Sequence, residues 1–120
     1  MQHRDKIIID KVITEINIGC DMLGASSLEE FEDDEKLKRA VSMTIINIGE
    51  LIKNITDDTR KEYPQIPWKA VAGMRDIAAH KYQTLRMEDV YNTVRIDFQI
   101  LKEQLNDLIT GKMTGANQRL

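Results

Sequence analysis

Three long stretches of this chain repeat apolar residues every three or four positions, and nowhere do apolar and polar residues alternate as in a half-buried strand. Ile9, Val12, Ile13, Ile16, Cys20 and Leu23 mark one face of a helix running from about residue 4 to about residue 23. Leu37, Ala40, Val41, Ile45, Ile48, Leu51, Ile52 and Ile55 form a second stripe. Met87, Val90, Tyr91, Val94, Phe98, Leu101, Leu105 and Leu108 form a third. A helix with one apolar stripe buries it most simply against other helices, so the spacing predicts an all-α antiparallel bundle of four to five helices, with the first, second and last long helices as its core.

The punctuation between the stripes agrees with that reading. Gly24 stops the first helix, and Ser27 followed by Glu30 reads as a capping box opening a short helical turn through Phe31. The acidic run Glu29, Glu30, Glu32, Asp33, Asp34 and Glu35 precedes the second stripe, where carboxylates suit the positive end of a helix dipole; it reads as a cap, and no metal site is expected there. Asp57, Asp58, Pro64 and Pro67 break the pattern, with Pro67 placed as the first residue of a further helix reaching about Tyr82 and Gly73 offering a point for a bend. Gly111 ends the last stripe. The expected organisation is one bundle domain over residues 1–111 and a polar, mobile tail over residues 112–120.

Composition narrows the class. At 120 residues, 42% hydrophobic and 31% charged, the chain has the make-up of a globular domain. Cys20 has no partner for an internal disulfide and reads as a small buried hydrophobe. The N-terminal residues lack a signal-peptide apolar segment and no apolar run approaches the roughly 20 residues of a bilayer span, so a cytoplasmic protein without a membrane partner is expected. Residues 1–58 carry 7 basic and 13 acidic side chains, whereas residues 59–95 carry 7 basic and 4 acidic. That second segment, with Arg60, Lys61, Lys69, Lys81, Arg86 and Arg95, can be read as a polyanion-binding patch or as ordinary solvated helix faces.

Within it lies GMRDIAAHKY, which holds the best candidates for chemistry. Arg75 keeps its charge at every physiological pH and can grip two phosphate oxygens, while His80 exchanges a proton near neutrality. Asp76 stands four positions before His80, on the same helical face, where a carboxylate would hold the imidazole in one tautomer. Arg75 and His80 themselves are separated by about 140° around a regular helix and about 7.5 Å along it. One helix does not converge them on one phosphate, but two copies around a two-fold axis could, and Ala72, Ala78 and Ala79 would let a second helix approach. The alternative is that the alanines serve tight packing within one bundle and His80 is a hydrogen-bonded structural residue.

The run IPWKAVAGMRDIAAHKY, preceded by AVSMTIINIGELIKNI and followed by MEDVYNTV, resembles the HepT-like branch of the HEPN superfamily over roughly residues 4–109. The matching residues are Ile66, Pro67 and Trp68, then Gly73, Met74 and Arg75, then Asp76, His80 and Tyr82, together with Asn47 to Glu50 upstream. The resemblance implies a HEPN-like helical bundle forming a two-fold homodimer. It also implies the toxin of a two-gene toxin–antitoxin module, acting as a metal-independent endoribonuclease without a cofactor. The implied partner is a minimal nucleotidyltransferase antitoxin that silences the toxin by attaching AMP to the position of Tyr82. Two departures stand out: Asp76 where many relatives carry Asn, and Lys81 where many carry Gly.

On this reading the ribose 2′-OH of RNA attacks the adjacent phosphorus, His80 moves the proton, Arg75 steadies the growing phosphoryl charge and Asp76 orients His80. Lys81, Lys69 and Arg86 are the expected substrate-binding residues. The rival expectations keep the fold without the catalysis: a binding or scaffold subunit for RNA or nucleotide in a nucleotidyltransferase complex, or a purely structural dimerising subunit.

Overall fold

The structure is a computed structural model that describes residues 1–115, the side chains of residues 75–81 excepted. All regular structure among the described residues is helical: α1 (His3–Leu23), α2 (Leu28–Asp33), α3 (Glu35–Lys53), α4 (Asp57–Glu62), α5 (Trp68–Lys81), α6 (Met87–Asn92) and α7 (Phe98–Ile109). A 3-10 turn, Tyr82–Thr84, follows α5, and a π-helical turn, Thr93–Asp97, joins α6 to α7 without interruption. Counting that continuous rod once gives six helices among the described residues rather than the four to five expected.

The added helix is α4, which the sequence offers only as turn residues. Its start is held from a distance. Asp5, fully buried near the beginning of α1, accepts hydrogen bonds from the Thr56 backbone N–H at 3.1 Å and from the Thr56 and Thr59 hydroxyls at 2.6 Å each. Burial pushes the Asp5 carboxyl up, but the bonds from Thr56 and Thr59 together outweigh it and hold the group below its ordinary value. The same contact sets the start of α1 against the end of α3, so these two helices run antiparallel.

The capping signals act locally. Ser27 Oγ accepts from the Glu30 N–H at 3.1 Å while Glu30 Oε1 accepts from the Ser27 N–H at 3.0 Å, a complete capping box. Asp34 caps α3 by accepting from the Leu37 N–H at 3.0 Å. Within the acidic run, Glu30 and Asp34 thus serve helix starts, and Glu35 forms ion pairs with Lys38 and Arg39, each 2.9 Å long.

Ile9, Val12, Ile16 and Leu23 of α1 meet Val41, Ile45, Ile48 and Ile52 of α3 and Val90, Val94, Phe98, Leu101, Leu105 and Leu108 of the last rod in one buried core. The core is not confined to these three elements. Among the described residues the most extensive helix–helix contact is between α3 and α5; Ile66, Trp68 and Val71 are buried at the start of α5, the Trp68 indole N–H donating to the Tyr63 carbonyl at 2.9 Å. The short apolar stripe of α5 understates its place against α3. Helix α5 passes through Gly73 unbroken, and it begins at Trp68 with Pro67 as its cap.

No helix among the described residues is long and apolar enough to cross a membrane. At the start of the tail, the Gln65 side-chain amide donates to the Thr114 carbonyl at 3.0 Å and Gly115 is buried against Glu62. Residues 116–120 lie outside the described residues.

Candidate active site on helix α5

Helix α5 carries the expected catalytic set on one continuous backbone. Arg75, Asp76, His80 and Lys81 all fall within Trp68–Lys81, and their side chains lie outside the described ones. The regular helix retains the separation of about 140° between Arg75 and His80. No bend at Gly73 brings them together.

Tyr82 is the expected site residue with the most informative surroundings. It opens the 3-10 turn at the end of α5, is half-buried, and lies under the guanidinium of Arg39, whose central carbon is 4.8 Å from the ring centre. Arg39 Nε donates to Glu35 Oε1 at 2.9 Å, and the Lys38 ammonium meets Glu35 Oε2 at 2.9 Å. The Lys38 hydrogen bond is the largest influence lowering Glu35, and the same bond raises Lys38, with the charges of Glu35, Tyr82 and Asp33 contributing. This group from the first turns of α3 was invisible in the sequence, since nothing local joins Arg39 to Tyr82; only the antiparallel contact of α3 with α5 brings them together.

Of the expected substrate-binding residues, the described Lys69 and Arg86 lie on separate parts of the surface. Lys69 is exposed in the first turn of α5, about 20 Å along the helix from Tyr82. Arg86 is exposed beyond the 3-10 turn and paired with Glu88 at 3.2 Å. The broader basic segment also loses members to structural work. Arg60 donates to the carbonyls of Ile52, Lys53 and Ile55 at 3.0, 3.1 and 3.2 Å, closing the end of α3. Arg95 donates to the Ser26 carbonyl at 2.7 Å and stacks on Tyr91 at 5.0 Å. Polyanion binding through Arg60 and Arg95 is thereby excluded for their committed donors.

Two concavities flank the middle of α5 and share Met74. One, about 220 Å³, is lined by Ser42, Ile45, Leu85, Asp89, Val90 and Thr93; the other, of similar volume, by Pro67, Ala70, Val71, Phe98, Ile100 and Leu101 among others. Ile96 and Ile100 stand exposed on the outer face of the last rod. On the far side of α3, Asn47 donates to Glu15 at 3.4 Å within a polar groove between α1 and α3. Among the described residues no group of three or more His, Cys, Asp or Glu side chains is arranged to hold a metal ion. Cys20 accepts from the Gln99 amide at 3.3 Å, and burial pushes its thiol above the ordinary value, which disfavours the reactive thiolate.

Comparison with known proteins agrees with the family resemblance drawn from the sequence. The profile described as Ribonuclease HepT-like matches residues 12–108. The probable ribonuclease HepT of Thermococcus cleftensis is 30% identical over 108 residues, covering 90% of this chain and 98% of its own. Two candidate RNases of Methanocaldococcus jannaschii, MJ0127 and MJ0125, are 33% identical over 92 residues and 36% identical over 81 residues. The first alignment covers 73% of this chain and 76% of the relative, the second 68% and 70%. No solved structure gives a significant match. With a profile matched from the middle of α1 to the end of α7, and relatives aligned over most of its length, this chain belongs to the HepT-like ribonuclease family.

Proposed function

We propose that this protein is the toxin of a toxin–antitoxin module and cuts RNA without a metal ion, using Arg75, Asp76 and His80 from two copies of the chain. The observation that carries the reading is that a HepT-like family member holds Arg75 and His80 on one unbroken helix, too far apart around its axis to meet on one phosphate. A two-fold partner supplies what one helix lacks: Arg75 of one copy beside His80 of the other, twice per dimer. The apolar groove along α5 and the exposed Ile96 and Ile100 offer such a partner a seat beside the site.

The chemistry follows from the residue types. His80 takes the proton of a ribose 2′-OH as its oxygen attacks the adjacent phosphorus, the 5′-oxygen leaves with a proton returned to it, and a 2′,3′-cyclic phosphate remains. Arg75 donates to the phosphoryl oxygens as their charge grows, and Asp76 fixes the His80 tautomer. DNA has no 2′-OH and is spared. In the module, a minimal nucleotidyltransferase silences the toxin: the Tyr82 oxygen, giving up its proton, attacks the α-phosphorus of ATP, pyrophosphate leaves, and the AMP added brings bulk and negative charge to the mouth of the site.

The test is incubation of purified protein with RNA in EDTA. Cyclic-phosphate products are expected from the unaltered chain and a fall of at least about 10²-fold from His80→Ala. RNA bound but left whole would identify a binding or scaffold subunit instead. For Tyr82, intact mass after incubation with the cognate nucleotidyltransferase and ATP should show one added AMP, absent in Tyr82→Phe.

A further inference from the structure

Two cations of α3 and the ring of Tyr82 meet where α5 ends, at a place for which the catalytic reading has no use. Glu35 is the hub: one oxygen accepts from Arg39 and the other from Lys38, both at 2.9 Å. Two positive groups thus share one carboxylate, with Asp33 acting on Lys38 from further off. Among the described residues, the bond from Arg39 to Glu35 uses Nε and leaves the terminal nitrogens for a second anion. Arg39 is also the more open of the pair, its side chain 60% exposed against 19% for Lys38, so a ligand reaches it without rearranging the bundle. Its flat guanidinium already covers one face of Tyr82, an arrangement that pairs a stacking surface with a phosphate fork.

We propose that Arg39 and Lys38, gathered on Glu35 beside the Tyr82 ring, form a phosphate-binding site for a nucleotide that reaches the end of α5. The inference rests on the reading of α5 as a nucleotide-facing helix, but it makes no use of cleavage. The phosphate can come from an RNA strand running past His80 or from a single nucleotide at Tyr82; in either case Glu35 competes with it for the two cations.

That competition sets the test. The full chain is titrated, by fluorescence anisotropy at about 0.1 M salt, against a labelled RNA twelve-mer methylated at every 2′-oxygen, which cannot be cut, and in parallel against labelled AMP. Arg39→Gln and Lys38→Gln should each weaken binding several-fold. Glu35→Gln, which frees both cations, should tighten it. A merely structural pair predicts the opposite sign for Glu35→Gln, because losing the hub would loosen the Tyr82 end. Weakening confined to the strand assigns the site to RNA; weakening shared with AMP assigns it to a single nucleotide. The proposal is overturned if the unaltered chain binds neither probe, if all three variants bind as it does, or if Glu35→Gln weakens binding as much as Arg39→Gln. A chain that cuts RNA while the variants bind normally loses this site and keeps the ribonuclease reading; one that binds as stated and never cuts does the reverse.

Discussion

Gly19 shows how little side chain the crossing of α1, α3 and α7 can accept. A Cβ there would lie 2.9 Å from Thr44 Oγ1 and 3.1 Å from the Phe98 ring, both buried. Gly19→Ala should therefore destabilise the fold by about 1–3 kcal/mol, against the usual gain of alanine in a helix, and Thr44→Ala in the same chain should recover part of the loss in a denaturant melt. Asp5 is the other residue whose neighbours define it. Its carboxyl is held below the ordinary value of 3.8, so its contribution is complete above that pH and is lost as pH falls through the lowered folded value. Asp5→Asn should cost about 1.5–3 kcal/mol at pH 7. The difference from the unaltered chain should shrink below about pH 3.8, and an equal difference at pH 7 and pH 3 would show that the carboxylate charge is not what holds Thr56 and Thr59. Neither role could be read locally, because Gly19 and Asp5 look like ordinary positions on an amphipathic helix until the residues facing them are known.

At the scale of the element, the starts of α2 and α3 are encoded within three residues, whereas the end of α3 is closed by the next helix. Ser27 with Glu30, and Asp34 before α3, are capping signals satisfied within three residues, which is why they were legible. The end of α3 instead depends on Arg60 of α4, whose three bonds to Ile52, Lys53 and Ile55 also place a positive charge at the negative end of the dipole. Arg60→Ala should cost about 1–2 kcal/mol, read as a lower midpoint in thermal unfolding, with Arg60→Lys recovering less than half because one ammonium cannot span three carbonyls. Helix α5 belongs to both groups. Its length follows from Pro67, Trp68 and the alanines, yet its central place against α3 does not, since small residues give a weak apolar stripe however closely they pack.

For the whole molecule, the decisive question is whether the active centre belongs to one chain or two. If Arg75 and His80 act across a two-fold axis, mixing inactive Arg75→Ala and His80→Ala chains under exchanging conditions should restore about a quarter of the unaltered rate: half the dimers are mixed, and each has one intact centre. A mixture as inactive as its parents would place both groups in one copy or end the shared-site reading. The sequence alone determined the all-helical class, the long helical stripes and the starts of α2 and α3. Those depend on a periodicity of 3.6 and on caps within one turn, both local in the chain. Tertiary structure decided the rest: that α4 forms on Asp5, that Arg60 and Arg95 serve carbonyls rather than a ligand, and that Arg39 lies on Tyr82. Apart from the Arg60 bonds, which span five to eight residues, these are contacts between residues far apart in sequence, and their energies exist only after the apolar stripes have set one helix against another.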